Sequence, residues 1–247
     1  MKIDELSTHF ALASEWFVDW FDCLRQPFST AEQALKDCAS EKDGLRRAFR
    51  LWAVSFLIGL VLQLPVYELL NMEWQKAGFL LPNALLLLLI FLATGVAIHL
   101  GLRVTRVPSN LVETCLIYAV IFAGHAPFFT LLLYPSLIDR LSLLQTAKMQ
   151  GTGFWDAMIQ MGAQIHQASL GYRERSVVGV VADAIRWPVG FLYSGAIMVL
   201  MQRALAARYN ADRYPVFLGI SLAIGVFSIF PLVILSLMYG FLLYIAL

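Results

Sequence analysis

The strongest constraint on this chain is the length and uniformity of its apolar runs. Residues 84–92 read Ala-Leu-Leu-Leu-Leu-Leu-Ile-Phe-Leu, and 216–247 hold no charged side chain. Hydrophobic residues make up 60% of the chain, and its mean hydropathy is +0.71. Apolar stretches of about 18 residues or more are long enough to cross a bilayer. Inside lipid the backbone has no water to bond, so each segment must satisfy its own N–H and C=O groups as helix. The expected fold is therefore all-α, a polytopic transmembrane helical bundle of about five spans. They fall at about 49–70, 77–102, 111–134, 187–201 and within 216–247. Pro231 should kink the last, which is too long for one straight crossing of the ~30 Å hydrocarbon core.

Charge is distributed unevenly. Nine of the seventeen acidic residues lie in the first 43 positions, with Lys2, Arg25, Lys36 and Lys42, and Arg46, Arg47 and Arg50 follow. Residues 1–48 thus read as a polar cytoplasmic head and 49–247 as the membrane domain. Twelve Lys and Arg fall on the side of the N-terminus and six on the other, which by the positive-inside rule puts the N-terminus inside and the C-terminus outside. Residues 1–10 carry no apolar signal-peptide core, so insertion is expected to start at the first span.

The head contains an amphipathic stretch over residues 6–24. Phe10, Trp16, Phe17, Trp20 and Phe21 form a candidate face toward a partner or the membrane, alongside packing of the same helix on the body. Ser29 and Glu32 have capping-box spacing for a second helix after Pro27. Residues 135–186 read as a long outer connection, with an amphipathic segment carrying Phe154, Met158, Met161, Ile165 and Leu170.

Polar groups at membrane depth are expensive and so mark candidate sites. At ~1.5 Å per residue, Gln63, His125, Ser194 and Ser228 fall at a common level, a candidate polar layer that would serve as interhelical glue or line a path. His99 and Glu113 lie at similar depth near the inner interface and form a candidate pair; Asn110, three residues before Glu113, also reads as a helix cap. Small-xxx-small spacings at Ala119/Ala123, Gly190/Ser194 and Ser221/Gly225 fit close helix contacts.

Reactive constellations find little support. Ser194-Gly195 superficially resembles the rhomboid protease nucleophile, but Leu192 replaces the required glycine and no histidine follows. The four histidines are scattered, and the three cysteines have no C-x-x-C spacing. No Gly-rich phosphate loop or basic nucleic-acid stripe is present. Neither catalysis nor a cofactor is expected.

The order of features resembles the Yip (Ypt-interacting protein) family of five-span membrane proteins, particularly its bacterial-type members. The likeness rests on Leu24-Arg-Gln-Pro-Phe28 before a basic approach to the first span, and on the basic loop Gly101-Leu-Arg-Val-Thr-Arg106. It rests further on Tyr118 and Pro127 in the third span and on the Arg-bearing turn 204–215 before the fifth. The Asp-Leu-Tyr-Gly-Pro segment of eukaryotic trafficking members is absent, and the connection between spans three and four is longer than the family's. The resemblance implies a non-enzymatic adaptor or organiser in a bacterial cytoplasmic (inner) membrane. Its partners would be membrane lipids, other membrane proteins or further copies of the same chain. The alternative expectation is a small channel or carrier using the Gln63, His125 and Ser194 level.

Overall fold

The computed structural model describes residues 3–37, 40–69, 77–123, 127, 131, 146, 149–151, 153–160, 177–227, 233–234, 237–238 and 241. Its elements are helical throughout. They are α1 (Ile3–Arg25), α2 (Pro27–Asp37), α3 (Glu41–Leu69), α4 (Ala77–Val104), α5 (Leu111–Ala123), α6 (Val177–Tyr209) and α7 (Arg213–Leu222). α7 runs directly into a π-helical turn, Ala223–Phe227.

Among the described residues, three helical stretches are long and apolar enough to cross a membrane: Glu41–Pro65, Ala84–Val104 and Pro188–Tyr209. The shortest of them has 21 residues, about 32 Å at ~1.5 Å per residue. Leu111–Ala123 and Arg213–Val226 are apolar but shorter. On α4, Leu85, Leu89, Leu92, Val96, Leu100 and Val104 recur at three- and four-residue steps, and all are exposed. A soluble monomer rarely leaves so continuous an apolar stripe to water. The opposite side of the helix buries Leu86, Phe91, Ala97, Ile98 and Leu102.

Several boundaries differ from the sequence expectation. α3 begins at Glu41 and passes unbroken through the expected head–body boundary at 48/49, because Ser40 caps it: the Asp43 N–H donates to Ser40 Oγ (3.3 Å), and Ser40 Oγ donates to Asp43 Oδ2 (2.7 Å). α2 starts at Pro27, ahead of the anticipated Ser29–Glu32 box; proline suits a first helical position, and Ser29 Oγ bonds back to Gln26 O. The expected fourth span, 187–201, lies within a 33-residue helix, since 177–186 and 202–209 are helical too. The turn after it shrinks to 210–212.

Two helices end in the same way. The Val107 N–H reaches Leu102 O (2.9 Å) and the Arg106 N–H reaches Arg103 O (3.1 Å), with Arg106 left-handed at φ 61°. The Ala211 N–H reaches Ala206 O (3.0 Å) across Asn210 at φ 45°. Both are Schellman-type closures, which turn the chain sharply and satisfy carbonyls left over at a helix C-terminus. They bring α5 and α7 straight back against α4 and α6.

Where α4 meets α7 the backbones nearly touch. A Cβ placed on Gly101 would lie 2.0 Å from Gly219 O, and one on Gly219 would lie 3.0 Å from Gly101 O. α4 and α5 are similarly close, since a Cβ on Gly95 would stand 2.6 Å from Cys115 Sγ. Among the expected small-residue pairs, Ala119 and Ala123 are buried, whereas nothing lies within 4 Å of a Cβ on Gly225 and Ser194 is exposed.

Candidate functional site

The head helices dock through polar contacts that only aromatic and charged side chains can make. α1 packs on α2 and α3, and α2 packs on α6, where Ala31 and Ala34 are small enough to be fully covered. Trp20 is 5% exposed, and its Nε1–H is shared between Ser55 Oγ on α3 and Ala123 O on α5, each at 3.0 Å. Asp19 receives Arg47 through both oxygens, Nε at 3.1 Å and Nη2 at 2.5 Å, a two-pronged geometry that fixes orientation. One turn earlier, Arg50 lies 5.5 Å over the ring of Trp16. The Trp16 Nε1–H is buried and has no hydrogen-bond partner among the described residues.

The expected aromatic face is therefore divided. Trp20 turns inward and Trp16 is half-buried, while Phe17 and Phe21 point outward at 40% and 60% exposure, with Val18 and Leu24 beside them. Phe10 belongs to α1, but its side chain lies outside the described residues. Cys23, under the same helix, is buried next to Asp19. Burial first, then the Asp19 charge, push its thiol up to about 12, so it stays protonated at neutral pH.

A second polar cluster ties together the start of α3, the start of α5 and the end of α6. Asn110 Oδ1 accepts the Val112 and Glu113 N–H groups (2.8 and 3.2 Å) and so caps α5. Its Nδ2 donates to Glu41 Oε1 (3.0 Å), and its backbone N–H donates to the Tyr209 hydroxyl (3.2 Å). Thr114 Oγ1 stands 3.1 Å from the same hydroxyl. Arg208 grips Glu113 with Nε on Oε2 (3.0 Å) and Nη2 on Oε1. His99 and Glu113, expected to pair, thus have separate partners: His99 Nδ1 meets Ser109 Oγ at 3.0 Å.

Of the expected polar layer, Gln63 accepts the Tyr67 hydroxyl from its own helix, and Ser194 is exposed on α6. His125 and Ser228 lie outside the described residues. Among the described residues, no three His, Cys, Asp or Glu side chains are placed to hold a metal ion together.

Two hollows remain. An apolar groove of about 800 Å³ is lined by Leu85, Leu86 and Leu89 of α4 together with Phe154, Trp155 and Phe241; Phe154 and Phe241 meet edge to face at 5.1 Å. This gives part of the anticipated amphipathic segment, helical over 154–160, a place against the C-terminal run. Met161, Ile165 and Leu170 lie outside the described residues. A smaller hollow of about 470 Å³ sits between α2, α6 and the start of α7, with Arg203 and Arg213 in its wall. The sequence reading uses both arginines for orientation and Arg213 as part of the Arg-bearing turn 204–215, and neither use points to a shared hollow.

No family model, curated protein or solved structure matches the chain.

Proposed function

We propose that this chain is a non-enzymatic integral membrane protein of the Yip type, an adaptor or organiser of five spans acting through contacts with other membrane proteins. Its N-terminus lies in the cytoplasm and its membrane is the bacterial inner membrane. The observation that carries the reading is the docked head. Trp20 and Asp19 fix α1 on the body, and this fixing turns Phe17 and Phe21 outward as a rigid apolar ridge. A rigid aromatic ridge is an economical contact surface, because little side-chain freedom is left to lose on binding. The polar side chains described at helix ends bond to neighbouring helices, which supports a structural bundle; Gln63 and Ser194 face different surroundings, which gives a shared path little support.

The test is photo-crosslinking in native membranes with benzoylphenylalanine at position 21 and, as a control on the exposed stripe of α4 outside the groove, at position 100. The expected result is a discrete protein adduct from position 21 that position 100 does not give, abolished by Phe17→Ser. Identical lipid-only adducts from both positions would remove the basis for an adaptor.

A further inference from the structure

We infer that the hollow between α2, α6 and α7 binds a phosphate-bearing group, with Arg203 and Arg213 as its cationic jaws. The wall consists of Phe28, Arg203, Ala206, Ala207, Ala211 and Arg213, so charge is concentrated on one part and small apolar surface on the rest. Guanidinium groups keep their charge at any working pH and match the geometry of phosphate oxygens. Two other arginines are already engaged, Arg47 with Asp19 and Arg208 with Glu113. Arg203 and Arg213 have no ion-pair partner among the described residues and are exposed, so an anion entering the hollow would meet two uncommitted cations. The nearest acidic residue in sequence, Asp212, is exposed and forms no part of the wall.

The hollow's shape and place narrow the ligand. About 470 Å³ exceeds what a bare phosphate fills, and three alanines and Phe28 offer apolar surface for the carbon skeleton of an ester. Arg203 lies six residues before the end of the Pro188–Tyr209 stretch, about 9 Å along the helix, the level at which phosphates border a hydrocarbon core. Tyr214, 70% exposed beside Arg213, suits that same interface. The shared chemistry is a phosphate ester. A phospholipid headgroup is one source, which rests on the membrane reading above, and a soluble phosphate ester is the other, which does not.

The test uses the full-length protein in a neutral detergent. Phosphatidylglycerol is titrated in mixed micelles against diacylglycerol, which has the same skeleton without phosphate, and glycerol 3-phosphate is added separately as the soluble arm. Phosphatidylglycerol should be retained over diacylglycerol, and the double variant Arg203→Gln/Arg213→Gln should weaken retention roughly tenfold or more. Arg103→Gln, an exposed cation outside the wall, should leave it unchanged, and Arg203→Lys/Arg213→Lys should restore only part of it, since lysine returns the charge without the two-pronged geometry. Displacement of the lipid by millimolar glycerol 3-phosphate would assign the soluble source; no displacement would assign the lipid. Equal retention of the two lipids with no binding of glycerol 3-phosphate, or an equal loss in Arg103→Gln, would overturn the site. Because the glutamine positions are exposed, unchanged thermal midpoints are expected and would show that lost binding is not lost folding.

Discussion

Trp16 and Trp20 stand one turn apart on α1 and look equivalent in the sequence, yet their indole N–H groups meet opposite fates. That of Trp20 is divided between Ser55 Oγ and Ala123 O, whereas that of Trp16 is buried with no partner among the described residues. Removing a satisfied buried donor costs about 1–2 kcal/mol, and removing an unsatisfied one costs nothing from this source and relieves a desolvation penalty. Trp20→Phe should therefore lower unfolding stability by at least ~1 kcal/mol more than Trp16→Phe, measured by denaturant titration in detergent. Trp20→Ala should cost about 3–5 kcal/mol through the cavity it leaves. The aromatic character of this face was legible from residue spacing. Which ring turned inward was not, because it depends on Ser55 and Ala123, the latter 103 positions away.

At the scale of elements, the contact of α4 with α7 is set by two glycines that no small-xxx-small spacing singled out. Such spacings show small residues along one helix, whereas this contact needs one glycine on each of two helices at the same height. Gly101→Ala would place a methyl group 2.0 Å from Gly219 O and must push the helices apart, costing at least about 1–3 kcal/mol. Gly195→Ala, where nothing lies within 4 Å, should be neutral or stabilising by up to ~1 kcal/mol, as alanine favours helix. A matched loss of thermal midpoint for both variants would show that the crossing is not tightly packed. The length of α6 also exceeds the expected span 187–201, because the flanking segments carry Asp183, Arg186, Arg203 and Arg208 and read as polar, not as helix. A helix of 33 residues carries such groups beyond the apolar core without ending.

For the whole molecule, the starts of α3 and α5 and the end of α6 meet at one polar end of the bundle through Glu41–Asn110 and Arg208–Glu113. Cysteines introduced at Lys42, Arg106 and Asp212, all exposed, should react with an impermeant maleimide from the same side of sealed vesicles, in a Cys38→Ser background. Labelling of any one from the opposite side would break this arrangement. The sequence by itself determined that the chain is helical and apolar enough to enter lipid; of the five spans it suggested, three are long and apolar enough among the described residues. Backbone satisfaction and apolar length are properties of each segment alone, so composition is enough to read them. Only tertiary structure decided that Glu113 answers Arg208 rather than His99, that the head is pinned by Trp20, and that Arg203 and Arg213 share one hollow. Those outcomes depend on side chains up to a hundred positions apart arriving at one height, and helix packing sets that height.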